Sequence, residues 1–355
     1  MDHSLVTIEP TKKIADAIRM LNISGSRCLV VVSANNELLG VLSDGDLRRA
    51  IFSQTSLNSS IEGCYNDNPY FIYQSDFNSQ DLKNTFLDKK FDLIPIVDQQ
   101  KVLQSIHLFD EIFHGLDQPI AKIQHNVEVV IMAGGLGKRL MPITKSIPKP
   151  MVEINGKPII QMIVEKFFKF GIRNFTISVN HLSEQIISFL GDGSKFNVEI
   201  NYIHENEPLG TCGSLSLIEN IKQSSCYIVT NSDVIADIEV NDLLDFHQSN
   251  SADISICTKL HEVNIPYGVI QGKTIVEGIE EKPNKSFWIN SGVYVLSPNI
   301  LSNIKYNTKI DMPNFINEQI EQQKKVMIYP MTGYWKDIGH PKELEEVRNK
   351  YKDNI

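Results

Sequence analysis

Long apolar runs are missing from this chain. No stretch of 18 residues is continuously hydrophobic, so no membrane-spanning helix is expected, and the opening MDHSLVTIEP lacks the charged-then-apolar build of a secretory leader. Cysteine is sparse: Cys28, Cys64, Cys212, Cys226 and Cys257 are scattered with no C-x-x-C pair. An odd, unspaced set points to reduced thiols in the cytosol, not to disulfides or zinc. Basic charge is short as well, with 34 Lys and Arg against 43 Asp and Glu for a net charge of −9. That balance excludes general nucleic-acid affinity, because a phosphate backbone demands a basic surface. His181, His204, His247, His261 and His340 show no metal-ligand spacing. The repeating hexapeptides of a β-helix are absent too, which argues against a fused acetyltransferase.

What is present suffices for about two domains in 355 residues, each able to bury its own core. The most informative stretch is MAGGLGKRLMPITKSIPKPM, from Met132 to Met151. Val127, Val129, Val130 and Ile131 lead straight into Gly134, Gly135 and Gly137, the pattern of a buried parallel strand ending in a glycine-rich turn. Such glycines let backbone N–H groups close on an anion, while Lys138, Arg139, Lys145 and Lys149 supply positive charge. The loop is suited to a polyphosphate. It is not a Walker A loop, since Arg139 stands where the magnesium-binding hydroxyl belongs, nor a dinucleotide fingerprint, since Leu140 replaces the third glycine.

Downstream, Ile159 to Phe170 is amphipathic and closed by Gly171, while Phe175 to Val179 and Tyr227 to Val229 read as strands. The alternation predicts an α/β domain with a Rossmann-like, mainly parallel sheet and ligands at the carboxyl ends of its strands. The first 120 residues carry an internal repeat with a period of about 64. Cys28 to Val32 and Leu38 to Leu42 are matched by Leu93 to Val97 and Val102 to Ile106. Helical stretches precede each copy (Ile14 to Leu21, Leu82 to Leu87), and Ser43-Asp44-Gly45-Asp46 or His107-Leu108-Phe109-Asp110 opens a helix after it. The expected organisation is a paired module over 1–120, a linker within 115–126 (strictly 121–126), and a second domain over 127–355.

G-G-x-G-x-R-L followed by P-K-P-M resembles the sugar-1-phosphate nucleotidyltransferase family. Further matches follow in order: Leu209-Gly210-Thr211-Cys212-Gly213, Asn231-Ser232-Asp233, Tyr267-Gly268-Val269-Ile270, Glu281-Lys282-Pro283, Asn290-Ser291-Gly292 and Trp335-Lys336-Asp337-Ile338-Gly339. The set spans residues 127 to about 345. The resemblance implies attack of a sugar-phosphate oxygen on the α-phosphorus of an NTP, so catalysis is positioning and charge stabilisation without an enzyme nucleophile. It implies catalytic roles for Arg139, Lys149, Asp233, Lys282 and Asp337, with Mg²⁺ on the Asp233 and Asp337 pair. Ala133, Gly134, Gly135, Gly137, Gly210 and Thr211 would hold the nucleotide. Tyr267, Gly268, Glu281, Lys282 and Asn290 would hold the sugar phosphate. Phe287, Trp288, Tyr294 and Trp335 are open to either a sugar-paving or a core role. Glu207, beside the base loop, fits guanine, whose N1–H and 2-amino group offer one carboxylate two adjacent donors.

The first 120 residues resemble a pair of cystathionine-β-synthase-type (CBS) modules, most closely at Gly40-Val41-Leu42-Ser43-Asp44-Gly45-Asp46. By that resemblance Ser43, Asp46 and Asp110 would hold a regulatory nucleotide. The competing reading is that Asp46 and Asp110 simply cap helices. The domain order resembles bacterial guanylyltransferases of legionaminic acid synthesis, implying GTP, glucosamine-1-phosphate and a cytoplasmic homo-oligomer feeding surface glycans. Mannose- or heptose-1-phosphate, another NTP, and a sensor with an inactive transferase domain are the alternatives.

Overall fold

The computed structural model describes residues 5–113, 126–219, 221 and 224–352. The expected linker therefore lies, except for Asn126, outside the described residues, as does the Asp110 side chain. The chain divides into two compact units, Met1–Ala121 with the short stretch Thr332–Tyr334, and most of the remainder. No helix among the described residues is long and apolar enough to cross a membrane.

In the N-terminal unit each copy builds the same three-stranded sheet. Cys28–Val32, buried throughout, lies between Thr7–Ile8 (parallel) and Leu38–Ser43 (antiparallel). Leu93–Val97 likewise lies between Ile72–Tyr73 and Leu103–Leu108. Runs such as CLVVV have no polar side chain to turn outward, so they take the middle of a sheet covered on both faces. Neither copy completes a core alone: Val30, Val32 and Leu38 pack in one cluster with Val97, Leu103 and Leu108. The copies also exchange equivalent hydrogen bonds, Leu38 N–H to Lys101 O and Leu103 N–H to Asn36 O, both 2.8 Å. Asn36 and Lys101, each at a left-handed φ near 62°, turn the hairpins that make this possible.

The pairing corrects the repeat by one residue. Cys28 faces Ser43 and Leu93 faces Leu108, so the offset is 65 (93 − 28 and 108 − 43). Glu111, not Asp110, is thus the structural counterpart of Asp46, and Leu108, not His107, that of Ser43. His107 lies on the preceding strand position and its ring stacks on Phe77 at 5.2 Å. The turns of the two copies are equal in length, since Asn36 and Lys101 are also 65 apart, and two apolar runs of similar composition do not reveal that register.

The second unit is built on a seven-stranded sheet. Its strands, in chain order, are β1 (Val127–Met132), β2 (Asn174–Val179), β3 (Glu199–His204), β4 (Cys226–Asn231), β5 (Ile254–Asn264), β6 (Asn284–Leu296) and β7 (Val326–Met331). Their spatial order is β3-β2-β1-β4-β6-β5-β7, and only β6 runs against the rest. The mainly parallel α/β sheet expected from the sequence is therefore present. The connections step outward from β1 to β3 and then return to β4 on its other side. That reversal opens a crevice at the carboxyl ends of β1 and β4, where such sheets bind ligands. The Ile159–Lys169 helix buries Ile159, Ile160, Ile163, Val164 and Phe167, and ends before Gly171 at φ 89°. β5 and β6 run past the sheet as a long hairpin, buried at its root and exposed at its tip, where Val269–Gly272 pairs with Val276–Glu280.

One buried group in this unit carries a pH dependence. His247 is 3% exposed, with Nδ1 2.9 Å from Ser255 Oγ and Nε2 3.0 Å from Ser297 Oγ. The Ser297 hydroxyl donates to Ala252 O at 2.9 Å, so it accepts from Nε2–H, and Nδ1 accepts from Ser255. Burial disfavours the imidazolium and pushes the pKa down to about 4. The unfolded chain, with His near 6.5, then binds the proton more readily between those values. Stability falls as pH drops through that window, by up to about 3 kcal/mol. Denaturant midpoints at pH 7 and pH 5 should therefore differ less in His247→Gln than in the parent. An equal difference in both would contradict this origin.

Candidate active site

The turn after β1 is shaped residue by residue. A Cβ on Gly134 would come within 2.5 Å of Glu205 Oε1. Gly137 has φ 61°, and a Cβ there would press on Thr144 and Lys149 at 3.0 to 3.1 Å. Thr144 locks that position by donating its hydroxyl to Gly137 O at 2.8 Å. Gly135 is different: a side chain there would meet nothing within 4 Å among the described residues. The fold itself does not require glycine there, whereas close approach of a ligand to the backbone would. Leu140 is buried and anchors the following turn, leaving Lys138 and Arg139 exposed. Pro148 and Pro150 flank Lys149 in a second short turn and hold it only 9% exposed.

Asp233 stands two residues beyond the end of β4. A two-stranded ribbon, Val234–Ala236 against Trp335–Asp337, pairs Val234 with Asp337 and Ile338 N–H with Asp233 O. This ribbon brings the two aspartates to one point. Lys149 Nζ donates to Asp233 Oδ2 in an ion pair whose side chains are 10% and 17% exposed. The Arg139 guanidinium lies against Gly339, where a Cβ would come within 2.9 Å of Nη1. Burial, reinforced by the Asp233 carboxylate, raises the Asp337 pKa, with Lys149 and Arg139 opposing the shift. Among the described residues, Asp233 Oδ1 and Asp337 Oδ1 are both buried without a hydrogen-bond partner. Two orphaned oxygens on neighbouring aspartates fit a hard cation such as Mg²⁺, which uses one or two carboxylates and completes its shell with water and phosphate oxygens.

Arg139, Lys149, Asp233 and Asp337 are thus brought together. The other candidates lie elsewhere. Asn290, Glu281, Lys282, Tyr267 and Gly268 belong to β6 and the hairpin arm, and among the described residues no hydrogen bond or ion pair joins them to the aspartates. At the root of the arm the β5–β6 register breaks between Ile256 and Thr258, opposite Ser291-Gly292-Val293, with Asn290 paired to Thr258 beside it. Gly292, at φ 78°, leaves room for the Asn231 side chain at the end of β4. Tyr294 and Trp335 brace this bulge: Asn290 Nδ2 donates to Tyr294 Oη at 2.7 Å and Trp335 Nε1 to Ser291 O at 2.9 Å. Both aromatics therefore support the motif from below. Lys282 sits at φ 46°, a backbone strain of about 1–2 kcal/mol for a non-glycine residue. Ser232 is not among the left-handed residues, so it stands there without strain.

Glu207 is exposed beside Pro208. The acid that organises the region is Glu205, which sequence reasoning passed over. It is buried, accepts from Ser178 Oγ, and accepts from Leu209 N–H at 2.8 Å, tying the Gly134 turn to the base loop. Gly339, the last residue of the Trp335–Gly339 motif, has the role of admitting Arg139. A cavity of about 480 Å³, lined by Lys305, Lys309, Asp311, Phe315 and Glu318 among others, contains none of the candidate catalytic residues. In the N-terminal unit Ser43 and Asp46 form a reciprocal cap. Asp46 Oδ2 accepts from Ser43 N–H at 2.8 Å and Ser43 Oγ at 2.6 Å, while Oδ1 pairs with Arg49. Capping is thus realised, and a ribose would have to displace those partners.

A family model described as nucleotidyl transferase matches residues 128–354, and one described as CBS domain matches residues 1–53. A mannose-1-phosphate guanyltransferase of Yarrowia lipolytica is 36% identical over 224 residues, 61% of this chain and 61% of that protein. The mannose-1-phosphate guanylyltransferase catalytic subunit beta of Drosophila melanogaster is 34% identical over 230 residues, 62% of each. The chain thus spans about three fifths of the length of the curated relatives it matches. Among solved structures, HddC from Yersinia pseudotuberculosis complexed with GMP-PN superposes with a TM-score of 0.51 at 28% identity, covering 63% of this chain and 99% of that one.

The charge cluster makes an asymmetric prediction for stability in chelator. Lys149→Met leaves the largely buried Asp233 carboxylate without its ion-pair partner and should cost about 3 kcal/mol. Asp337→Asn removes a charge that burial and Asp233 already disfavour, and should be neutral or stabilising. Adding Mg²⁺ should recover part of the Lys149→Met loss. Chemical denaturation of the three proteins checks this, and equal losses in the two variants would contradict it.

Proposed function

The chain belongs to the nucleotidyl transferase family, and we propose that it transfers a nucleoside monophosphate from an NTP to a sugar-1-phosphate, releasing pyrophosphate. The observation that carries this reading is the convergence of Arg139, Lys149, Asp233 and Asp337 on the crevice between β1 and β4. The sugar-phosphate oxygen forms a bond to the α-phosphorus as the bond to the β,γ-pyrophosphate breaks, and the leaving group takes the electron pair. Arg139, planar and rich in donors, binds the triphosphate oxygens as charge shifts toward pyrophosphate. Lys149, held by Asp233 in the free enzyme, swings the short distance to the reacting phosphates. Asp233 and Asp337 would hold Mg²⁺, which when bound neutralises phosphate oxygens and makes the α-phosphorus more electrophilic.

Lys282 and Glu281 take the sugar phosphate, the lysine pairing with the phosphate and the carboxylate accepting from sugar hydroxyls. Asn290, held by Tyr294, presents the bulge to the sugar. GTP is the favoured donor, supported by the exposed Glu207 carboxylate beside the base loop and by the names of the curated relatives. Those names favour mannose-1-phosphate as acceptor. Glucosamine-1-phosphate is the second reading, resting on the CBS module ahead of the transferase unit. That module is proposed to regulate or assemble the enzyme as a homo-oligomer in the cytoplasm. With Asp46 committed to its own helix, assembly is the better supported of the two roles.

Pyrophosphate release with Mg²⁺, crossing the NTPs with mannose-, glucosamine-, N-acetylglucosamine-, glucose- and heptose-1-phosphates, should give one strong pairing with GTP. Silence across the grid would overturn the reading. Arg139→Ala should lower turnover on the order of 10²–10³. Glu207→Gln should weaken GTP use selectively, and unchanged GTP use would remove the guanine argument.

A further inference from the structure

Asp311 stands at the N-cap of the Met312–Glu321 helix, with Pro313 in the first turn, yet its carboxylate makes no cap hydrogen bond. An aspartate there would ordinarily accept from the helix's own first N–H groups. Instead Asp311 Oδ1 accepts from Thr211 N–H at 3.0 Å and from Thr211 Oγ1 at 3.5 Å. The helix is capped from far away in sequence: Met312 N–H donates to Thr211 Oγ1 at 2.9 Å. The two segments thus exchange hydrogen bonds, Asp311 taking the Thr211 amide and Thr211 the Met312 amide. Around them the Leu209–Gly213 loop is stitched to the same segment, with Ile310 N–H donating to Leu209 O at 3.0 Å and Cys212 and Gly213 N–H both donating to Ile310 O at 3.1 Å.

The glycines of the loop serve this seam. A Cβ on Gly210 would lie 2.6 Å from Ile310 O and 2.7 Å from Asp311 Oδ1, and one on Gly213 would strike Thr308 O. Thr211's hydroxyl and amide are likewise spent on Asp311 and Met312. We propose that Asp311 is a positioning residue for the nucleotide: through Thr211 it fixes the loop that receives the base, and Thr211 acts through this exchange and not by touching the ligand. The inference rests on the nucleotide reading of the loop given above. Both side chains are exposed, so the exchange contributes little to global stability and its effect falls on the loop.

The test uses the full chain with Mg²⁺ and compares Thr211→Val, Thr211→Ser, Asp311→Ala and Asp311→Asn with the parent. Calorimetry gives the Kd for GTP, steady-state pyrophosphate release gives KM and kcat, and thermal unfolding reports stability. Thr211→Val and Asp311→Ala should each raise Kd and KM for the nucleotide about tenfold. Their kcat should stay within about threefold, and the sugar-phosphate KM should not move. Thr211→Ser and Asp311→Asn, which keep the donor or acceptor, should restore affinity. If Thr211→Val weakens GTP while Asp311→Ala does not, Thr211 touches the ligand directly and the proposal fails. A lowered unfolding temperature with unchanged Kd in both would reduce the exchange to a structural cap and also overturn it. Failure of the parent itself to bind any NTP would instead overturn the reading on which the inference rests.

Discussion

Two carboxylates, Asp233 and Asp337, are held together at the mouth of the β1–β4 crevice, and the site is organised around that cost. Like charges removed from water repel strongly, and each loses hydration that only a cation or a hydrogen bond replaces. Lys149 supplies one cation directly, and the Arg139 charge supplies another from its place against Gly339. One oxygen on each aspartate still has no partner among the described residues. Such atoms add nothing to stability, and they fit the cation and polyphosphate that the proposed reaction brings together.

The surrounding fold follows from this requirement. The strand order reverses between β1 and β4, which gives one crevice two strand ends, a glycine turn and an aspartate. The Val234–Ala236 ribbon then draws the second aspartate in from near the end of the described chain. Glycines at 134, 137, 210, 213, 292 and 339 meet other parts of the protein, while Gly135 faces open space. Within a glycine-rich site, packing and ligand approach are thus separable, position by position.

Much of this was legible in the sequence because its signals are local. An apolar run ending in glycines specifies a buried strand and a turn, and Ser43 with Asp46 three residues on specifies a cap. What stayed hidden depends on long-range partners. Glu205 and Glu207 differ little as letters, but only Glu205 reaches Ser178 and the Leu209 amide. Asp311 stands at the N-cap of its own helix, and no neighbouring residue announces that the Met312 amide goes to Thr211 instead. The repeat offset slipped by one because apolar strands of similar composition align almost as well either way, whereas the pairing of Leu93 with Leu108 admits one register.

The central claim is that the four charged residues at this crevice serve attack on an α-phosphorus. Following two isotopic labels through the reaction of GTP with a sugar-1-phosphate tests it most directly. Label from α-³²P GTP should appear in a nucleotide sugar, and label from γ-³²P GTP should appear only in pyrophosphate. Transfer of the γ label to the sugar, or its release as orthophosphate, would mean that the same charges serve the other end of the triphosphate and would contradict the account.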